Sequence, residues 1–170
     1  MTSDEQRGYV EAARRASREA LETMGVRPFA YRWDRTHLAA DAVASYQDSM
    51  GEDGPEVSVA GRIVAWRSQG KTAFGHLEDR SGRIQLYFRR DGLGAAWEVT
   101  RHLDLDDHVG AVGRLFRTRT GEVTVRVERF ELLSKSLRPL PRGKVVEHPD
   151  GTREVYGGLT DPETRYRQRY

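Results

Sequence analysis

At Val57 the hydrophobic pattern of this chain changes period, and that change limits its fold more than any other feature. Before it, Val10, Ala13, Ala20, Leu21 and Met24 recur at helical spacings, while Arg14, Arg15, Arg18, Glu19 and Glu22 fall mostly elsewhere. Gly25 is placed to stop that helix. A turn at Pro28 follows, and Thr36 is placed to cap a second short helix whose Leu38, Ala42, Val43 and Tyr46 share a face. Residues 50–55, with two glycines and a proline, read as a linker. From Val57 the period is 2, with Val57, Val59, Ile63 and Ala65 on one parity and Ser58, Arg62 and Trp66 on the other, as a half-buried strand requires.

A break at residues 68–71 leads into a second strand over 72–78, a turn at Arg80-Ser81-Gly82 and a third strand over 83–90. Gly92 and Gly94 loosen the chain before a helical stretch with Ala95, Ala96, Trp97, Val99 and Leu103. Two more strands, about 108–118 and 122–132, are joined at Thr120-Gly121. The order strand, strand, strand, helix, strand, strand predicts a mainly β fold with a helical arm. It is the order of the OB-fold, a partly open five-stranded barrel with a helix between its third and fourth strands, which binds oligonucleotides. The expected segments are a helical arm over 1–56, the barrel over 57–133 and a connector over 134–170. The connector has prolines at 139, 141, 149 and 162, and a hairpin is expected over 144–156, turning at Pro149-Asp150-Gly151.

A net charge of +2 conceals an uneven distribution along the chain. Residues 1–56 hold 7 basic and 11 acidic side chains, residues 57–133 hold 13 and 10, and residues 134–170 hold 8 and 5. Between Gly61 and Arg90, seven basic residues face only Glu78 and Asp79. That balance suits a polyanion partner, and equally a solvated charged surface. The chain has no cysteine, which removes disulfides, thiolate metal sites and cysteine nucleophiles from consideration. His37, His76, His102, His108 and His148 are dispersed without ligand spacing, so no metal site is expected. Gly92-Leu93-Gly94 lacks the rest of a phosphate-cradling loop, and Asp104, Asp106 and Asp107 read as a charged turn rather than a cation loop. No run approaches the roughly 20 apolar residues of a membrane helix, and the first residues lack a signal-peptide pattern, so a cytoplasmic protein is expected.

Strand alternation sorts the binding face. Ile84, Leu86 and Phe88 go inward, leaving Arg83, Gln85, Tyr87 and Arg89 outside, and the second strand places Thr72, Phe74, His76 and Glu78 outside. An outward Phe forgoes about 1.5 to 3 kcal/mol of burial, which makes sense if its ring stacks on an unpaired base or if the arm covers it. The flanking loops carry Arg67, Gln69 and Lys71 at one end and Arg117, Arg119, Thr120 and Glu122 at the other. The cations suit phosphates. Glu122 either pairs with Arg117 or Arg119 or accepts a hydrogen bond from a base N–H, such as a uridine N3–H.

These residues together resemble the amino-terminal anticodon-binding region of bacterial-type class II lysyl-tRNA synthetases. The resemblance runs from Arg14-Arg15 and Pro28-Phe29-Ala30-Tyr31-Arg32 through Gly70-Lys71-Thr72-Ala73-Phe74 and Asp79-Arg80-Ser81-Gly82-Arg83-Ile84-Gln85-Leu86-Tyr87. It continues through Phe116-Arg117-Thr118-Arg119-Thr120-Gly121-Glu122 and Ser136-Leu137-Arg138-Pro139-Leu140-Pro141 to the final Asp161-Pro162-Glu163-Thr164-Arg165-Tyr166-Arg167-Gln168-Arg169-Tyr170. Between Pro141 and Gly158 the chain is longer than the family's usual connector.

The resemblance implies a domain that reads the U-rich anticodon of lysine tRNA. It carries over Phe74 as the stacking ring, Gln85 as the hydrogen-bonding partner of the middle uridine, Arg67 as the first-loop arginine and Glu122 as the glutamate near the wobble base. Lys71, His76, Arg83, Tyr87, Arg117 and Arg119 are further candidate RNA contacts. No catalytic or cofactor residue is expected in this chain, which stops at Tyr170 before the family's ATP- and lysine-binding segments. The family resemblance implies a homodimeric parent enzyme that attaches lysine to its tRNA using ATP and magnesium, with the present chain docked on its own catalytic domain. The related aspartyl and asparaginyl enzymes, a free-standing single-strand-binding OB module and a protein-interaction adaptor remain the alternatives.

Overall fold

Five alternating strands close on themselves in the computed structural model of the chain, which describes residues 3–140, 144–147, 153–156 and 166. They are β1 (Glu56–Gln69), β2 (Thr72–Glu78), β3 (Arg83–Arg89), β4 (His108–Arg117) and β5 (Val123–Ser134). Their hydrogen-bonded order is β1-β2-β3-β5-β4, and β1 returns antiparallel to β4. The parallel pairing of β3 with β5, through Gln85↔Thr124, Leu86↔Val125 and Tyr87↔Arg126, completes the ring. The barrel is therefore closed rather than partly open, which leaves no unpaired edge.

Inside, Val57, Val59, Leu77, Leu86, Phe88, Val109, Leu115 and Val125 are fully buried or nearly so. Each contributes about 1.5 to 3 kcal/mol by leaving water. The alternation expected of β1 breaks at one place. A bulge between Ile63 and Ala65 adds a residue against β2, so every side chain beyond it changes face. Ala65 is exposed, and Trp66 packs against the core with its ring edge-on to Phe88 at 5.1 Å.

The connection from β3 to β4 is a single helical turn, α3 (Arg90–Leu93), which buries Leu93, followed by a 3-10 helix, Gly94–His102, which buries Trp97 and Val99. α1 (Ser3–Thr23) packs on that 3-10 helix. Gly25 ends α1 at φ 75°, with its N–H donating to the Glu22 carbonyl and the Val26 N–H to that of Leu21. The docked face differs from the apolar stripe expected. Leu21 is buried, but so is Arg14, whose guanidinium donates to the Ser136 hydroxyl at 3.1 Å, while Ala13 and Met24 are exposed.

Beyond α1 the arm follows the barrel. Ala30 N–H donates to the Leu133 carbonyl and Lys135 N–H to that of Pro28. Trp33 then lies over Gly110, where any Cβ would fall inside the indole, with the Arg129 guanidinium 5.0 Å from its ring centre. Thr36, expected to cap α2 (Ala39–Ser45), instead pairs with β1: the Ser58 N–H donates to its hydroxyl at 2.9 Å. The cap comes from the β2–β3 turn. Asp79 Oδ2 accepts the Ala39 N–H at 2.9 Å and Ser81 Oγ accepts that of Ala40 at 3.0 Å. Hydrogen bonds from the Ser81 side chain and from the Ala39, Ser81 and Gly82 amides outweigh the burial that raises the Asp79 carboxyl, and hold it below its ordinary value.

The charged turn expected at residues 104–107 is instead the lid of a buried ion cluster. Asp107 is fully buried, and Lys135, 3% exposed, donates to Asp107 Oδ2 at 2.8 Å, to Asp104 Oδ2 at 2.5 Å and to the His102 carbonyl at 2.8 Å. The residues up to Arg138 form one compact unit and Pro139–Tyr170 a second. In the second, β6 (Lys144–Glu147) pairs antiparallel with β7 (Arg153–Tyr156), which is the expected hairpin. Its turn lies outside the described residues.

Candidate nucleic-acid interface

Two rows of outward positions cross the barrel, each set by cross-strand register. The first runs Arg67↔Phe74↔Tyr87↔Arg126↔Arg114, and the second His76↔Gln85↔Thr124↔Phe116. The first row is aromatic at its centre and cationic at both ends. Phe74 stacks on Tyr87 with centroids 4.7 Å apart and planes at 28°, and the Arg67 guanidinium lies 5.6 Å from the Phe74 centre. Tyr87 in turn meets Phe116 at 5.8 Å, and Arg126 sits 5.0 Å over the Phe116 ring. Such ring pairs offset part of the burial that Phe74 forgoes, at about 0.5 to 1.5 kcal/mol for the stack. Phe74 keeps partial exposure. Among the described residues the ring contacts of Phe74 are to Tyr87 and Arg67, neither of which belongs to the arm.

Gln85 faces outward as the alternation predicts, yet it is only 9% exposed. Two neighbours enclose its amide. Gln85 Nε2 donates to Glu122 Oε2 at 2.7 Å, and the Thr124 hydroxyl donates to Gln85 Oε1 at 2.8 Å. The other Glu122 oxygen lies 2.9 Å from His76 Nε2. The pairing of Glu122 with Arg117 or Arg119 is therefore not what forms. A tight turn aims the carboxylate instead: Gly121, at φ 90°, donates to the Thr118 carbonyl, and the Glu122 N–H donates to the Thr118 hydroxyl at 3.1 Å. The result is a polar spot beside the Phe74 ring, with an oriented amide and a carboxylate that has accepting capacity left.

The remaining candidates separate by what already holds them. Arg83 bonds Glu78 at 2.5 Å. Arg117 donates to Asp48 at 2.6 Å and to the Gly121 carbonyl at 2.7 Å, with its guanidinium 5.5 Å from the Tyr46 ring. Lys71 and Arg119 are exposed, and among the described residues neither side chain forms a hydrogen bond or ion pair. Thr124, Phe116, Arg114 and Arg126 belong to the same face and were missed, although the alternation of the last two strands, with Leu115 and Val125 inward, carries the signal. Among the described residues no group of three or more His, Asp or Glu is placed to hold a metal, and no helix is long and apolar enough to cross a membrane.

Residues 57–133 match a family described as an OB-fold nucleic acid binding domain. The chain is also similar to lysine–tRNA ligases. It is 42% identical to that of Enterococcus faecalis, over 99% of this chain and 34% of that protein. For Bacillus subtilis the identity is 40%, covering 92% and 30%, and for Carboxydothermus hydrogenoformans 41%, covering 88% and 28%. The chain thus spans about a third of the length of the curated relatives it matches.

Proposed function

The chain belongs to the lysine–tRNA ligase family as the segment with the OB-fold nucleic acid binding domain, and on that premise we propose that it reads the U-rich anticodon of lysine tRNA. The observation that carries the reading is the partly exposed Phe74 ring, stacked on Tyr87 beside the Gln85–Glu122 pair. An unpaired base laid on the ring gains about 1 to 3 kcal/mol. A uridine also meets matched polar groups, because the second N–H of Gln85 Nε2 can donate to a uracil carbonyl while Glu122 accepts the N3–H. Cytidine presents an N3 lone pair in that place, so it would face the carboxylate without a proton between them. Arg67 and Lys71 neutralise phosphates at one end of the face and Arg119 at the other.

In the longer enzyme of this family the domain would hold the tRNA so that its 3′ end reaches a catalytic domain, where ATP and magnesium serve the attachment of lysine; that positioning would be its contribution to rate. A homodimeric enzyme in the cytoplasm is the setting we propose.

The test is a fluorescence titration of the 170-residue chain with a lysine tRNA anticodon stem-loop and with the same loop carrying cytidine at the middle position, repeated for Phe74→Ala and Gln85→Ala. The expected result is weaker binding of the altered loop and of each variant by about 1 to 3 kcal/mol. Equal binding of the two loops, with dependence on salt alone, would make the domain a non-specific single-strand binder. No binding of RNA at any salt would point to a protein-interaction module.

A further inference from the structure

A short acidic segment ahead of the barrel lies on two of its arginines. Asp48, in the 3-10 turn Asp48–Met50, accepts from Arg117 Nε at 2.6 Å. Glu52 accepts from Arg126 through its carbonyl at 3.1 Å and its carboxylate at 3.4 Å. Both arginines adjoin the aromatic row: Arg126 is the register partner of Tyr87 and sits over Phe116, and Arg117 follows Phe116 in β4. We propose that Arg117 and Arg126 are RNA phosphate-binding residues that extend the track across β4 and β5, and that Asp48 and Glu52 occupy them as displaceable phosphate surrogates. The proposal rests on the reading of the barrel as an RNA-binding face and adds its second half.

The geometry suits exchange. The side chains of Asp48 and Glu52 are 76% and 86% exposed, so their ion pairs are held in water, where such pairs are individually weak. The arginines have anchors that do not depend on the carboxylates. Arg117 keeps the Gly121 carbonyl and the Tyr46 ring, and Arg126 keeps the Phe116 ring and the Glu52 carbonyl. Each guanidinium therefore stays in place when its carboxylate leaves, with donors ready for a phosphate oxygen. The charge of the two segments agrees, since residues 1–56 carry 11 acidic against 7 basic side chains and residues 57–133 carry 10 against 13. A surrogate of this kind weakens binding to any polyanion. It leaves base contacts at Phe74 and Gln85 to decide which RNA displaces it.

The test compares the chain with Asp48→Asn/Glu52→Gln in titrations against the U-rich anticodon stem-loop from low to moderate salt. Thermal melts establish that each protein is folded. The neutralised variant is expected to bind about threefold to tenfold more tightly at low salt. Its plot of log affinity against log salt should steepen by about 1.4, the increment for two more phosphate contacts on a single strand. Adding Arg117→Gln/Arg126→Gln to that background should reverse both changes, whereas in the parent chain the same pair should have a smaller effect. Glu19→Gln/Asp41→Asn makes an equal charge change away from these arginines and serves as control.

An unchanged slope for Asp48→Asn/Glu52→Gln, or the same steepening in the control, overturns the proposal. In that event a loss of binding in Phe74→Ala would leave the anticodon reading standing. Conversely, a steeper slope with no dependence on Phe74 supports the surrogates and removes base stacking. If no variant binds the loop, both readings fall.

Discussion

Gln85 is nine-tenths covered on a strand face that points away from the core, because Glu122 and Thr124 close over it from β5 and the loop before it. Its amide has a fixed sense: the oxygen is held by the Thr124 hydroxyl and the nitrogen by Glu122. Thr124→Val keeps the shape and removes the hydroxyl, so the amide loses the bond that sets which end it presents to the base in the proposed reading. Discrimination between uridine and cytidine at the middle position should fall about fivefold, the equivalent of one hydrogen bond, while the melting temperature changes little. A discrimination ratio unchanged in Thr124→Val would show that Glu122 alone orients the amide. Alternation along β3 was enough to place Gln85, Tyr87 and Arg83 outside, and the neighbouring strand to place Phe74 and His76 there. The occupants of each side chain were not legible. Glu122 lies 37 positions from Gln85 and 46 from His76, and its preference for them over Arg117 and Arg119 follows from the turn at Thr118–Glu122.

At the scale of elements, local signals failed where a distant element competed. Thr36 precedes α2 as a cap should, but the β1 backbone at Ser58 takes its hydroxyl, and Asp79 and Ser81 take over the helix amides. A short helix capped from another turn depends on that turn. Asp79→Ala should cost about 1 to 2 kcal/mol in urea unfolding, the usual range for a lost cap. The pH dependence has a definite sign. The Asp79 carboxyl is held below its ordinary 3.8, so its stabilising effect is present above that value and is lost as pH falls through the folded value. The gap in stability between the parent chain and Asp79→Ala should therefore narrow in acid below about pH 4; a gap that stays constant from pH 6 to pH 3 would mean that the carboxylate charge is not what caps α2. The bulge in β1 is a failure of the same kind. An alternating sequence does not mark an inserted residue, and Trp66 is drawn inward by Phe88 across the barrel.

At the largest scale, the unit up to Arg138 is tied together where the chain leaves the barrel. Lys135 joins the end of β5 to the 3-10 helix and to the 104–107 turn, and next to it the Asp107 carboxylate accepts the Ser136 N–H at 2.7 Å while Arg14 of α1 reaches the Ser136 hydroxyl. Burial raises the Asp107 carboxyl, and Lys135 with the surrounding amides pulls it back. Lys135→Met would leave that carboxylate buried without its cation, at a cost of about 3 to 5 kcal/mol. An acid whose folded value is raised destabilises the fold as pH rises above its unfolded value, so the deficit of Lys135→Met should be largest near neutrality and shrink toward pH 4. Thermal melts at the two pH values check this, and an equal deficit at both would assign the loss to packing. By itself the sequence determined the order of strands along the chain, the five-stranded barrel class, and the outward placement of Phe74, Gln85 and Tyr87, because alternation and turn residues act over a few positions. The tertiary structure alone decided which groups meet: the β1 bulge, the Asp79 cap, the Lys135 cluster, and the acidic segment on Arg117 and Arg126. Each joins residues far apart in the chain, and such contacts depend on how neighbouring elements pack and on which groups burial leaves in need of a partner.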